Sequence, residues 1–342
     1  MIHARLYSRP QTSDAFRHKH FATLPNDRPL IAQVMPLSPQ VLTMQFCAND
    51  PAELLAAAEM IQDNVDAIDL NLGCPQGIAK KGFYGCFLQD EWDLIHDLIS
   101  TLHINLRIPV CAKVRVFKDR KKTIAYAKHI CSAGVSILAV HGRTREMKGA
   151  WTGLADWDII REIRENIPRD VVMFANGNIQ YHGDIERCLA ATGVDGVMSA
   201  EGHLYNPAIF VDPLAGMEIR HPRIDLLARE YLEIVKALDD PMSNVAVKAH
   251  LFKIFRVGLE VHKDLRAILG TSRGSEESGR AIGMMEERIE NALAEESGDV
   301  EGIPWYRCQP YLRPEREREA VREAENNKGK ISEGASDLEV SG

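Results

Sequence analysis

The sequence predicts a (β/α)8 barrel followed by a smaller, all-helical domain. Strand-like and helix-like segments alternate at intervals of roughly thirty residues as far as about residue 215, as in consecutive βαβ units. The strand-like runs are almost continuously apolar, which is typical of a parallel sheet covered on both faces. Polar clusters follow these runs directly, and the strand ends of a barrel share one face, where active sites form. A doubly wound sheet is the rival architecture, but no GxGxxG motif follows a strand-like run.

The individual elements follow from local pattern and from turn residues. Residues 2–7 are predicted as the end of a strand and 15–21 as a short helix, and further strands are predicted at 30–33, 41–47, 67–72, 108–116, 135–140, 171–175 and 194–199. Pro51 opens a helix, and helices are predicted at 91–106, 123–133, 157–166 and 184–191. Gly134 and Gly193 follow two of these helices at the position where a left-handed residue ends a helix.

The alternation of strands and helices stops near residue 222. Helices are predicted at 224–238, 245–261 and 279–294, and the composition becomes charged and poor in apolar residues from about residue 315. We therefore expect a barrel domain at 1–215, a helical domain at 222–300 and a disordered tail at 315–342.

Composition limits the class of protein. The 342 residues are 45% hydrophobic and 26% charged, and no apolar run is long enough to cross a membrane. The seven cysteines show neither a CxxC motif nor another metal-ligand spacing, which predicts reduced thiols, no metal, and a cytosolic or nuclear location. The net charge of −8 is concentrated in residues 276–301 and 315–342. Basic residues cluster elsewhere, at 115–122, 143–148 and 248–266, which favours a polyanionic partner.

The stretch 66–88, DAIDLNLGCPQGIAKKGFYGCFL, holds the first candidate for chemistry. Its strand ends in a turn, Gly73-Cys74-Pro75, and further glycines follow within a few residues. Glycine permits the backbone angles of a sharp turn and a close approach of the backbone to a ligand. Cys74 is therefore predicted to be a site residue, whereas the alternative is a small buried side chain that only packs.

Polar residues on the later strands complete the candidate site. Lys113 lies between apolar neighbours within a strand, and a lysine pointing into a barrel needs a partner or a ligand. His141 ends the next strand, and together they indicate a polar ligand across the barrel mouth. The last two strands run into Asn176-Gly177-Asn178 and Ala200-Glu201, loops of a kind that binds phosphate through backbone N–H groups.

Five motifs together resemble the tRNA-dihydrouridine synthases, most closely the eukaryotic branch whose name carries positions 16/17. These motifs are DLNLGCP at 69–75, AKVR at 112–115, VHGRT at 140–144, ANGNI at 175–179 and GVMSAEG at 196–202. The resemblance runs from residue 46 to about 210 and continues more loosely through VKAHLFK at 247–253.

The resemblance implies a barrel that binds FMN and reduces the C5–C6 bond of uridine in the D loop of tRNA with NADPH. It implies that Cys74 gives a proton to C5, a role that suits a thiol because thiols titrate near about pH 8.5. Gln45, Lys113 and His141 would contact FMN, while Asn176, Gly177, Asn178, Ala200 and Glu201 would hold its phosphate. Asn71 and Arg143 would contact the substrate. The helical domain with its basic residues would bind the backbone of the tRNA. We expect the protein to be a monomer.

Two departures from the family pattern lead to competing hypotheses. The motifs begin after the family's first strand, so we expect an N-terminally truncated, incomplete barrel with an exposed strand edge. Residues 34–45 interrupt the family pattern, which leaves Gln33 as the alternative to Gln45. A second hypothesis is therefore a catalytically impaired tRNA-binding remnant that lacks stable FMN. A third is a flavin barrel acting on a small molecule such as dihydroorotate, against which the basic helical domain counts.

Overall fold

The computed structural model describes residues 1–8, 41–149, 152–238, 241–295 and 302–311. The helix predicted at 15–21, the strand predicted at 30–33, Gln33 and the tail predicted at 315–342 lie outside these residues. Within them, no helix has both the length and the apolar character needed to cross a membrane.

Among these residues, seven parallel strands form a single sheet whose spatial order is the order of the sequence. The strands are β1 (Ile2–His3), β2 (Thr43–Cys47), β3 (Ala67–Leu72), β4 (Val110–Arg115), β5 (Ile137–His141), β6 (Val172–Asn176) and β7 (Gly196–Met198). In the part of the chain that the structure describes, β1 and β7 are the two edge strands. The predicted fold class, a parallel α/β barrel-type sheet followed by a helical region, is confirmed, whereas a barrel that is incomplete at its N-terminus stays a prediction.

Helices alternate with the strands of the sheet, and after the last described strand the described chain is mostly helical. Those of the sheet region are α1 (Ala4–Ser8), α2 (Pro51–Glu59), α3 (Gly77–Gly82), α4 (Trp92–Asn105), α5 (Arg120–Ser132), α6 (Trp157–Asn166), α7 (Gly183–Thr192), α8 (Glu201–Tyr205) and α9 (Met217–Arg220), with 3-10 turns at Gly85–Leu88 and Pro207–Phe210. The helical region contains α10 (Ile224–Leu238), α11 (Pro241–Ile254), α12 (Gly258–Val261), α13 (Lys263–Thr271) and α14 (Gly274–Glu295).

The described residues contain two large, separate hydrophobic cores, besides a small cluster of Cys47, Ala79 and Tyr84. The first contains buried residues between Ala4 and Ile209, and the second contains buried residues between Ile224 and Cys308. The division of the chain into domains near residue 222 stays a prediction, but the two cores support it because each domain needs a core of its own.

The strands alternate between a face that packs on the helices and a polar inner face. In β3, Ile68, Leu70 and Leu72 belong to the first core, whereas Asp69 and Asn71 take the alternate positions. The same phase in β4 to β6 places Lys113, Arg115, His141 and Asn176 on the inner face. Period-two alternation therefore brings polar side chains from distant segments to one end of the sheet.

Three element predictions need correction. Residues 4–8 form helix α1 rather than strand, because Ala4 and Tyr7 are buried at a helical spacing of three. The helix predicted at 245–261 is broken between α11 and α12, where Gly258 packs so closely that a Cβ there would lie 3.0 Å from Ile224 Cδ1. Helix α13 is an element that the sequence analysis did not predict.

Candidate active site

The carboxyl ends of the strands carry the candidate site residues in registered pairs. Asn71 in β3 lies beside Lys113 in β4, and Arg115 lies beside His141 in β5. His141 in turn lies beside Asn176 in β6. Neighbouring Cα positions in a parallel sheet are about 4.8 Å apart, so these side chains share one surface.

A hydrogen-bonded chain of three polar side chains joins β2 to β3. Gln45 Nε2 donates to Asp69 Oδ2 at 2.5 Å, and Asn71 Nδ2 donates to Gln45 Oε1 at 2.9 Å. Both ends of the Gln45 amide are therefore engaged, which orients this side chain on the inner face. Gln45 lies on the site side of β2, where the sequence analysis expected the flavin glutamine; its contact with a flavin stays a prediction.

The Cys74 turn is held by the same chain of hydrogen bonds. Asn71 Oδ1 accepts from the backbone N–H of Gly73 at 3.2 Å and of Cys74 at 2.9 Å. Gly85, whose φ is +65°, packs against the other side of the turn, and an added Cβ there would lie 2.8 Å from the Cys74 carbonyl oxygen. Cys74 itself is half-buried and its thiol is free. The turn is thus held from both sides while Cys74 stays partly exposed.

Asp69, which is buried, and Lys113, which is half-buried, are charged residues on adjacent strands. Burial lowers the pKa of Lys113 to about 8, although the Asp69 carboxylate acts to raise it. Burial raises the pKa of Asp69 to about 6, although the hydrogen bond from Gln45 and the charge of Lys113 oppose this shift. The ammonium forms no hydrogen bond with any residue that the structure describes, so it can donate to a ligand.

Arg115 connects the Cys74 turn to the loop after β5. Its Nε donates to the Gly73 carbonyl at 2.9 Å, and its Nη1 donates to the carbonyls of Thr144 at 2.8 Å and Met147 at 3.0 Å. A guanidinium suits this role because its donors diverge in a rigid plane. Arg115 was predicted as one of a cluster of basic residues and as part of a motif, but this bridge was not predicted.

His141, Arg143 and Asn178 form a second polar group beyond Arg115. Arg143 Nη1 lies 3.0 Å from His141 Nε2, and Arg143 Nη2 donates to Asn178 Oδ1 at 2.8 Å. Burial, together with the charges of Lys113, Arg115 and Arg143, lowers the pKa of His141 to about 2. This imidazole is therefore neutral at physiological pH, and Arg143 supplies the positive charge of the group.

Gly177 lets the backbone of the loop after β6 approach this group closely. Its φ is +108°, and an added Cβ would lie 2.6 Å from Ala155 Cβ and 3.1 Å from His141 Cδ2. Asn178 follows with φ of +64°, and its side chain also bonds the backbone of Ala155 in both directions, at 3.0 and 2.9 Å. The loop conformation thus depends on a residue without a side chain at position 177.

A pocket of about 160 Å³ lies over this loop. Seven of the predicted site residues line it: His141, Arg143, Asn176, Gly177, Asn178, Ala200 and Glu201. Met198 and Ser199 line it as well, and Asn176 Nδ2 donates to the Met198 carbonyl at 2.8 Å. The pocket has room for a phosphate group but is smaller than a site for a whole cofactor. Gln45, Asn71, Cys74 and Lys113 lie outside this lining, towards β2 to β4.

The charges of Glu201 and Arg143 indicate how each could contribute to binding a phosphate in this pocket. Glu201 is an acid, and a carboxylate repels a phosphate, so any help from position 201 must come from its backbone. Arg143 is tied to the histidine and asparagine of the pocket, so its guanidinium lies where a phosphate would bind. Its predicted contact with the substrate, like that of Asn71, stays a prediction. No cluster of metal-ligating side chains occurs among the described residues.

The fold and site define a class of protein: an enzyme of the (β/α)-barrel type with a thiol and a phosphate-sized pocket at the carboxyl ends of its strands. Comparison with known proteins narrows this class. The family model described as Dihydrouridine synthase (Dus) matches residues 1–289. The chain belongs to the dihydrouridine synthase family.

Individual relatives are similar over most of the chain. The chain is 45% identical over 339 residues to a tRNA-dihydrouridine(16/17) synthase (NAD(P)(+)) of Saccharomyces cerevisiae, covering 92% of the chain and 77% of the relative. It is 46% identical over 336 residues to the protein of the same name in Schizosaccharomyces pombe, covering 92% and 80%. A mouse protein, named as like these synthases, is 42% identical over 322 residues, covering 92% of the chain and 62% of the relative.

Proposed function

We propose that this chain is a tRNA-dihydrouridine(16/17) synthase, an oxidoreductase that reduces uridines 16 and 17 in the D loop of tRNA to 5,6-dihydrouridine. The observation that carries the proposal is the clamped Cys74 turn beside Lys113, on the same edge of a parallel sheet as the Gly177 pocket. In a chain of the dihydrouridine synthase family, this arrangement supports a role for Cys74 as the proton donor next to the proposed cofactor site. No observation on the described residues favours a catalytically impaired remnant.

The residues present fit FMN as the cofactor. The Gly177 backbone, the Arg143 guanidinium and the neutral His141 surround a pocket of phosphate size. Lys113, whose pKa of about 8 keeps most of it charged at neutral pH, lies between this pocket and the thiol and can donate to the polar edge of the ring system. When bound, FMN would supply the hydride to C6 of the uracil, after reduction by NAD(P)H, with NADPH proposed as the preferred donor.

Cys74 would complete the reduction by proton transfer. Its S–H bond breaks as the new C–H bond forms at C5, and the resulting thiolate then takes a proton from solvent. Asn71 and Arg115 hold the turn through the backbone of Gly73 and Cys74, so the sulfur approaches the base from a defined direction. The target uridine must leave the tRNA fold to reach this depth, as other base-modifying enzymes require.

Replacing the thiol tests the proposal. Dihydrouridine is mapped in tRNA from cells whose own gene for this enzyme is deleted and which carry either the wild-type chain, Cys74→Ala, or the control Cys131→Ala on helix α5. We expect dihydrouridine at positions 16 and 17 with the wild type and the control but not with Cys74→Ala. Purified Cys74→Ala should keep a visible flavin spectrum, because the thiol lies outside the phosphate pocket. Normal dihydrouridine with Cys74→Ala would refute the assigned role.

We also propose that the protein is a monomer in the cytosol or nucleus. Seven free cysteines support a reducing compartment, because secreted proteins usually pair them. Sedimentation of the purified protein tests the first part, and imaging of a tagged chain tests the second.

A further inference from the structure

Two tyrosines and two basic residues meet at the junction between the sheet and the helical region. Lys253 Nζ donates to Tyr205 Oη at 2.9 Å and lies 4.7 Å from the centre of the same ring. Arg256 lies over Tyr311, with Cζ 3.9 Å from the ring centre. The two tyrosine rings are 6.3 Å apart. We call this group of Tyr205, Lys253, Arg256 and Tyr311 the clasp.

The clasp joins three parts of the chain that are far apart in sequence. Tyr205 ends helix α8, which starts at Glu201 in the lining of the phosphate-sized pocket, and it is only 3% exposed. Lys253 lies in α11 of the helical region, and Tyr311 ends the segment 302–311. That segment is bound to the start of the helical region through two backbone hydrogen bonds, Ile224 N–H to the Tyr306 carbonyl at 3.0 Å and Cys308 N–H to the Pro222 carbonyl at 2.9 Å.

The structure divides the basic residues at 248–266 into two kinds. Three of them are already engaged within the protein. Lys248 Nζ donates to the Gly270 carbonyl at 3.1 Å. Lys253 and Arg256 are engaged in the clasp, and Arg256 also forms an ion pair with Glu260 at 2.9 Å. Lys263 and Arg266 are exposed and form no hydrogen bond or ion pair with any described residue. A cation already bound to an aromatic ring and a hydroxyl would lose those contacts if it turned to an RNA phosphate.

We propose that Lys253 and Arg256 are positioning residues that fix the helical region relative to the pocket at the barrel mouth, and that they are not phosphate ligands of tRNA. The proposal rests on the proposed function, since it concerns how the tRNA is presented to the site. The exposed Lys263 and Arg266 then remain as phosphate contacts. Because the clasp joins α11 of the helical region to α8, loosening it changes the orientation of the bound tRNA relative to the site. The hydrogen bonds that hold Arg143 and Asn178 in the pocket do not involve the clasp, so cofactor reduction stays intact.

The salt dependence of tRNA binding distinguishes a positioning lysine from a phosphate ligand. Binding of RNA weakens as salt concentration rises, and the salt slope is the magnitude of this decrease in a plot of log K against log salt concentration. Loss of one phosphate contact lowers the salt slope by about 0.7–0.9. For Lys253→Met we expect KM for tRNA to rise about tenfold, with kcat, flavin reduction by NADPH without tRNA, and the salt slope unchanged. For the control Lys263→Met we expect the lower slope. Lys253→Arg, which keeps a charged donor, should restore most of the affinity.

Tyr205→Phe provides a second test, because it removes only the hydroxyl that Lys253 binds. If the clasp positions the helical region, Tyr205→Phe reproduces part of the KM defect. A lowered salt slope in Lys253→Met together with wild-type behaviour of Tyr205→Phe would overturn the proposal and make Lys253 a phosphate ligand.

Hydrogen exchange of the tRNA-free protein separates this proposal from the proposed function. The amides of residues 201–205 should exchange faster in Lys253→Met and Tyr205→Phe than in the wild type or Lys263→Met. Unchanged exchange in both clasp variants would refute the clasp even in an active enzyme. Wild-type protein that makes no dihydrouridine would refute the function, while the exchange measurement would still decide whether the clasp holds the junction.

Discussion

Replacing Asn71 by alanine should destabilise the protein and disable the Cys74 turn. Asn71 is 9% exposed and takes part in three hydrogen bonds, one to Gln45 at 2.9 Å and two from the backbone amides of Gly73 and Cys74 at 3.2 and 2.9 Å. Each such bond contributes roughly 1 kcal/mol net, and buried groups left without a partner cost more. Asn71→Ala should therefore lower the free energy of unfolding by about 2–4 kcal/mol.

Urea-induced unfolding measures this loss as a lower midpoint at constant slope. The matched control is Asn105→Ala, since Asn105 is exposed and its Nδ2 donates only to the Thr101 carbonyl at 2.8 Å, so we expect a change below about 0.5 kcal/mol. Dihydrouridine formation by Asn71→Ala should fall about a hundredfold, because the sulfur is no longer held in place. If Asn71→Ala and Asn105→Ala unfold at the same urea concentration, the hydrogen-bonded chain does not support the turn.

Three further variants test other parts of the site. Gly177→Ala should cost about 2–4 kcal/mol in thermal unfolding, because its φ of +108° is strained for alanine and the new Cβ would lie 2.6 Å from Ala155 Cβ. His141→Gln should make stability less sensitive to acid. The pKa of His141 is about 2 in the folded protein and about 6.5 in the unfolded chain, so the unfolded chain binds a proton first as pH falls. The wild type therefore loses stability relative to the variant below about pH 6.5, by at most about 1.4 kcal/mol per pH unit. Arg115→Lys should lower activity and stability, by about 2 kcal/mol, because one ammonium cannot reach both Gly73 and the loop after β5.

Controls for these variants come from the same chain. Gly193→Ala introduces backbone strain without a steric clash, because the φ of Gly193 is +65° and no atom lies within 4 Å of the added Cβ. It should therefore lower the free energy of unfolding by about 1 kcal/mol. Equal losses in Gly193→Ala and Gly177→Ala would contradict the packing argument. Arg107→Lys changes an exposed arginine paired with Asp63 and should be nearly neutral. Parallel pH profiles for wild type and His141→Gln would show that the imidazole titrates normally.

Much of the site could be predicted because strand ends are local in sequence. Cys74, Lys113 and His141 each end or interrupt an apolar run, and a parallel sheet brings such ends to one edge. The strand predicted at 67–72 and the helices predicted at 157–166 and 224–238 have the observed bounds, because their apolar spacing and caps are strong.

The contacts that could not be predicted are hydrogen bonds from the terminal groups of long side chains to residues far away in the sequence. Arg115 reaches the Gly73 and Met147 carbonyls, which are 42 and 32 positions away, and Lys253 reaches Tyr205 across 48 positions. Hydrophobic periodicity determines which face of an element is buried, but it does not determine which loop carbonyl a long cation reaches. The basic residues at 248–266 were for this reason predicted together, as a cluster that favours a polyanionic partner, whereas their contacts divide them.

The strand order from β1 to β7 has a consequence for how the protein is made. Among the described residues, each strand pairs with its neighbours in sequence, so during translation every new strand of this sheet meets an edge that has already emerged from the ribosome. Tyr311 reaches Arg256 only after the whole helical region has been synthesised. The sheet should therefore consolidate early and its junction with the helices should close last, so that a nascent chain holds its thiol in place before it can orient an RNA.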